Sequence, residues 1–148
     1  MWISLGILLG LLVILRIAVP LVSGQPAHVK HASPDLSAHT SNPNFVSSLA
    51  PAGDRHVEPL GPADQFDAVV AVIAALPRTR EVFTSDGYAH FVCTTALWGF
   101  RDDVQVQVQD GMVQVKSSSR LGLSDLDTNR RRVEAIRAKL PAATNNGD

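Results

Sequence analysis

Hydrophobic positions recur along the chain in several distinct rhythms, and each rhythm predicts an element. From Trp2 to Val22 they are nearly continuous, with Arg16 the only charge, and at about 1.5 Å per residue such a helix spans roughly one hydrocarbon core. Its fourteen Leu, Ile and Val favour insertion by roughly 4–8 kcal/mol, against about 2.5–3.5 kcal/mol opposed by an Arg at the centre. Arg16 lies toward the C-terminal end, where its long side chain reaches the headgroups. The pattern predicts a transmembrane anchor over 1–24. A cleaved signal peptide is the alternative, since Val22-Ser23-Gly24 offers small residues, but the stretch lacks a basic leader and exceeds the usual apolar length.

The rhythm then vanishes. Six of the nine prolines fall between 25 and 62 among Ser, Ala and His, which reads as a tether; the tether is assigned to 25–41 and the folded domain to 42–148. Four of the five histidines, His28, His31, His39 and His56, lie in the same stretch. Their irregular spacing, without Cys, reads as solvated side chains rather than a metal site.

From Asp64 onward, Phe66, Val69, Ile73 and Leu76 recur at helical spacing, with Asp64 as N-cap and Pro77 as stop. Extended runs follow over Thr79–Ser85 and Tyr88–Leu97, joined by Asp86-Gly87, and over Asp103–Gln109 and Met112–Ser117, joined by Asp110-Gly111. A two-residue Asp-Gly between extended runs is the strongest local hairpin signal. The second turn pairs Val108 with Val113 and Val106 with Val115, and sets Gln107 opposite Gln114 and Gln105 opposite Lys116. A valine face therefore carries helices while a Gln/Lys face meets solvent or a partner. The first turn sets Val82 beside Phe91 and Phe83 beside His90, which leaves its core side open. A last helix, capped by Ser124 or Asp125 and ending near Leu140, carries Leu126, Asn129, Val133, Ile136 and Leu140 in one stripe. The fold class is α+β: an N-terminal transmembrane helix plus a two-layer domain, a four-strand antiparallel meander with two helices packed on one face.

Composition narrows the function. Thirteen Lys and Arg against fourteen Asp and Glu give a formal charge of −1, which does not suit a nucleic-acid partner. The single cysteine, Cys93, excludes an intrachain disulfide and reads as a small buried hydrophobe. No hydrolase, metalloprotease or phosphate-loop motif occurs, and no cofactor is implied.

The segment Ser117–Leu140, SSSRLGLSDLDTNRRRVEAIRAKL, resembles the closing signature of the domain-of-unknown-function family 1499, S-x-S-R-x-G-x-S-D-x-x-x-N-R-x-R-V-E. Pro43-Asn44-Phe45-Val46-Ser47-Ser48 is similar to its P-N-C-V-S-S, with Phe45 where the family has Cys. Tyr88-Ala89-His90 and Gly99-Phe100-Arg101-Asp102-Asp103-Val104 are similar to its Y-x-H and G-F-x-D-D-V. The resemblance covers about 42–140. It implies a bacterial envelope or organelle domain, often attached by a lipoprotein signal or membrane segment, and so points to an extracytoplasmic domain, although the charges flanking the anchor lean the other way. It implies no activity.

Candidate chemistry gathers in two places. Arg120, Gly122, Ser124, Asp125, Asn129 and Arg130 crowd the entry of the last helix, where free N–H groups and guanidiniums suit a small anion. The same residues read better as a structural knot, because Asp125 and Asp127 would repel an anion there; in it Ser124 and Asp125 cap the helix, Asn129 fastens the incoming loop and Arg120 pairs with Asp102 or Asp103. His90 with Asp102 and Asp103 resembles a general base with carboxylate partners, but no nucleophile or metal accompanies it. Arg130, Arg131, Arg132, Arg137 and Lys139 read as a solvated helix face. The expectation is a single-pass membrane protein whose domain binds a protein partner or small anionic ligand without catalysis, held in the bilayer by residues 2–22. The alternative is an enzyme acting on a small anionic substrate at the Arg120/Asn129 turn.

Overall fold

Two Asp-Gly turns organise the sheet. At Asp110-Gly111 both residues take positive φ, 53° and 73°, the geometry whose twist matches paired strands; at Asp86-Gly87 only Gly87 does, at 71°. The computed structural model describes residues 2–22, 35–37, 43–121 and 126–141. Its elements are α1 (Trp2–Val22), β1 (Phe45–Ser47), β2 (Gly61–Pro62), α2 (Phe66–Ala74), β3 (Thr79–Ser85), β4 (Tyr88–Thr94), β5 (Arg101–Gln109), β6 (Met112–Ser119) and α3 (Leu126–Arg137).

The sheet is antiparallel and six-stranded, ordered β1-β6-β5-β4-β3, with β2 also paired to β6. The expected meander is its β6-β5-β4-β3 part, and the β5–β6 register has the pairs Val108↔Val113, Val106↔Val115, Gln107↔Gln114 and Gln105↔Lys116. Two strands were not expected. They come from the Pro-rich stretch, where Leu60 N–H donates to Val113 O and Ala63 N–H to Gly111 O, both at 2.9 Å. Residues 43–62 are thus tied to β6 rather than running as tether.

Val69 and Ile73 of α2, and Val133 and Ile136 of α3, pack on the same side of the sheet against Val46, Ala89, Phe91, Val104, Val106, Val113 and Val115. This places Phe91 toward the helices and His90 away from them, because strand neighbours alternate. Glu81, not Val82, stands opposite Phe91; the register shifts between Glu81 and Phe83, and this bulge lies on an edge strand, where bulges are common.

Several further expectations are corrected. The second extended run stops at Thr94, because Thr95–Phe100 closes on itself. A 3-10 turn over Ala63–Gln65 leads into α2, and Asp64 is not its cap. Most of the Gln/Lys face is not solvated: Gln105, Gln114, Lys116, Ser118, Tyr88 and His90 are buried, while Gln107 is half-buried and Gln109, near the turn, is exposed. Leu36, itself fully buried, reaches this layer, its carbonyl accepting from Ser47 Oγ at 2.9 Å.

Among the described residues no helix is long and apolar enough to cross a membrane.

Candidate functional site

β5 is the middle strand of the sheet, so its neighbouring residues Asp102 and Asp103 are buried on opposite faces. A buried carboxylate is costly unless its charge and lone pairs are met. Here each is met by an arginine from a different part of the chain.

On the helix side, Asp102 Oδ2 accepts from Arg132 Nη2. The same guanidinium donates through Nη1 to Ser117 Oγ at 2.9 Å and to Asn129 Oδ1 at 3.0 Å. Asn129 is fully buried, and its amide joins three segments. Nδ2 donates to Asn44 O at 3.3 Å, Asn44 Oδ1 at 3.2 Å and Ser119 Oγ at 3.1 Å, while Oδ1 accepts from Ser117 Oγ at 2.8 Å. The polar member of the α3 stripe thereby clasps α3 to β6 and to the residue preceding β1.

On the other side, Arg120 Nε donates to Asp103 Oδ2 at 2.9 Å and Nη2 to Oδ1 at 2.7 Å, a two-pronged pair. His90 Nε2 lies 2.7 Å from Asp103 Oδ1. The side chains of His90, Asp103 and Arg120 are 0%, 1% and 6% exposed. Burial alone would raise the Asp103 carboxyl, but the bonds from His90 and Arg120 outweigh it and hold it below its ordinary value. Asp103 is therefore a carboxylate, and Nε2 of His90 is the donor.

Farther along this face, Gln105 Nε2 donates to the Tyr88 hydroxyl at 2.9 Å, and burial pushes that hydroxyl's pKa up. Lys116 Nζ and the Arg55 guanidinium lie 5.0 and 5.1 Å from the Phe45 ring centroid, cation–π distances. Burial lowers the Lys116 pKa, while Asp35 acts against that shift.

The residues expected to form one anion seat do not converge. Arg120 and Asn129 lie on opposite faces of the sheet, each engaged as above. Arg130 Nη2 donates to Asp54 O at 2.7 Å and His56 O at 2.9 Å, and Arg137 holds Pro59 O and Glu58 O at 2.6 and 2.7 Å. The basic run of α3 is thus not a uniformly solvated face: Arg131, paired with Asp127, is the solvated member, while Arg130 and Arg137 fasten the loop before β2. Gly122, Ser124 and Asp125 lie outside the described residues.

Sequence reasoning missed Arg132, Asn44 and Ser117. Two signals pointed to them: their places in the family signatures, and the spacing of Asn129 and Arg132, which share a helix face. Among the described residues no three His, Cys, Asp or Glu gather as a metal group; His28, His31 and His39 lie outside them.

A cavity of about 350 Å³ opens where α2 ends and β3 begins, lined by residues that include Leu76, Arg78, Thr79, Cys93, Arg132 and Ala135, but not His90, Asp103 or Arg120. Burial raises the Cys93 thiol pKa, and its Sγ lies 3.3 Å from Thr79 Oγ1.

The sequence profile of the family described as Protein of unknown function (DUF1499) matches residues 35–140. The chain belongs to the DUF1499 family. No curated protein and no solved structure matches it. In this DUF1499 chain the residues that carry the resemblance, Asn44, His90, Asp102, Asp103, Ser117, Ser119, Arg120, Asn129, Arg130 and Arg132, supply the two networks and the loop contact just described. Phe45, where the family signature has Cys, supplies the ring that Lys116 and Arg55 approach.

Proposed function

We propose that the protein is a single-pass, membrane-anchored binding module of the cell envelope, with its folded domain on the extracytoplasmic side and no catalytic machinery of its own. The observation that carries this reading is the mutual satisfaction of His90, Asp103 and Arg120 in a buried cluster. A general base needs a nitrogen within reach of substrate, whereas His90 commits Nε2 to Asp103. Arg120, the cation of the rival anion-site reading, commits two donors to the same carboxylate. The anchor is supported by the length of Trp2–Val22, which rises about 31 Å as one helix, by its single charge, and by the exposure of its described apolar side chains. The buried Gln/Lys face is no docking platform. The cavity between the ends of α2 and β3 has the size and largely apolar lining of a small-ligand pocket.

The reading is tested with the full chain in detergent micelles, following the His90 imidazole and Arg120 guanidinium resonances by NMR while inorganic phosphate and acetate are added. A binding module of this design leaves both resonances unmoved. Saturable shifts at both would favour an enzyme acting on an anionic substrate. Alkaline carbonate washing of native membranes tests the anchor: release of the chain into the supernatant would overturn it.

A further inference from the structure

We infer that the turn between β4 and β5 is a second membrane contact, its Ala96-Leu97-Trp98 tip entering the headgroup level of the bilayer in which α1 is anchored. This rests on the anchor reading above.

The turn is built to present those residues. Thr95 N–H donates to Phe100 O at 2.9 Å, Gly99 N–H to Thr95 O at 3.2 Å, and Phe100 N–H to Thr95 Oγ1 at 2.9 Å. Gly99 supplies the positive φ, 71°, that closes it. The tip is therefore held in place before it meets anything, which lowers the ordering cost of binding. From Thr94 to Phe100 there is no charge. Leu97 is 69% exposed and, among the described residues, is the only exposed large hydrophobic outside α1. One exposed leucine needs no explanation by itself; its surroundings supply the argument.

The turn faces α1 across a cavity of about 320 Å³ lined by Leu12, Val13, Arg16, Ile17, Leu97 and Trp98. Arg16 is the one charge of α1, and a guanidinium near the end of a spanning helix reaches up to the headgroups. Arg16 and Trp98 line the same cavity, so the tip lies beside the side chain that reaches that boundary. Tryptophan favours this boundary, where an apolar ring and a polar N–H are both accommodated. Arg101 follows the turn, and Arg78 joins its base, its Nε–H donating to Thr94 O at 3.1 Å. An apolar tip with basic residues at its base suits a surface of anionic lipid.

The chain has two tryptophans, Trp2 in α1 and Trp98 in the turn, so each contact can be read separately. The full chain is reconstituted into vesicles of phosphatidylcholine and phosphatidylglycerol whose acyl chains are brominated either near the headgroup or near the methyl end. In Trp2→Phe, Trp98 emission should be quenched more strongly by the shallow bromines than by the deep ones, and should be shielded from aqueous iodide. Adding Leu97→Asp to that chain should reduce the bromine quenching and restore iodide access, with an unchanged circular dichroism spectrum. In Trp98→Phe, quenching of Trp2 by bromolipid reports the anchor independently. Trp98 open to iodide and indifferent to bromine, while Trp2 is quenched by bromolipid, would overturn the inference and leave the anchor standing. Indifference of both tryptophans to bromine would overturn both.

Discussion

Replacing Asn129 by leucine asks whether the clasp between α3, β6 and Asn44 stabilises the fold. Leucine is similar in size and completes the apolar stripe, so a reading based on hydrophobic pattern alone predicts a gain. The structure predicts a loss. Asn129 takes part in five hydrogen bonds, to Asn44 O and Oδ1, Ser117 Oγ, Ser119 Oγ and Arg132 Nη1, each worth about 0.5–1.5 kcal/mol net. Several partners keep another bond after the substitution: Ser117 Oγ and Arg132 Nη1 retain each other, and Asn44 O retains the Ser119 N–H at 3.0 Å. Leucine also recovers part of the loss by burying apolar surface. The balance is about 2–3 kcal/mol of destabilisation, or roughly 10–20 °C in the melting temperature of a domain of this size. Thermal unfolding of the full chain in micelles, followed by circular dichroism, measures it. Arg131→Ala is the control: its pair with Asp127 is solvated, and it should change stability by less than about 0.5 kcal/mol. A leucine variant as stable as the parent, or more so, would refute the clasp.

Because Asp103 is held below its ordinary value of 3.8, its contribution is fully present above that value and is lost as the pH falls toward its lower folded value. Acid unfolding of Asp103→Asn should accordingly be shallower across this window, from a lower neutral-pH stability, and an identical acid profile would contradict the ion cluster. Cys93 is buried with its thiol pushed up by that burial; maleimide should label it in the folded chain at least about ten-fold more slowly than in denaturant, and equal rates would place the thiol at the surface.

What the sequence disclosed was mainly local. The Asp-Gly turns set two hairpins because a two-residue loop leaves few registers, and the valine alternation then chose one face for the helices. Asn129 was visible as an amide in an apolar stripe, and the choice of Asp103 over Asp102 for Arg120 needed only the alternation of β5 once the core side was known. What escaped depended on contacts distant in the chain. β1 and β2 are two or three residues long, lie among prolines, and are strands only because β6 offers a backbone edge far along the chain. Lys116 and Gln105 alternate as solvated residues do, yet Phe45, some seventy positions before Lys116, brings its ring to the ammonium. Arg132 sits at the flank of its helix stripe, and only the reach of a long side chain brings it to Asp102.

Whether the signature residues hold the fold or serve a reaction is read most directly by a double-mutant cycle on Asp103 and Arg120, comparing the unfolding free energies of Asp103→Asn, Arg120→Met and the double variant in the full chain. A buried two-pronged pair predicts that each single change costs about 3–5 kcal/mol, by leaving its partner uncompensated. It also predicts that the double change costs less than the sum of the two, with a coupling of about 2–3 kcal/mol. Small, additive losses within about 0.5 kcal/mol would show that the two charges do not sustain each other, and would contradict a structural role for the cluster.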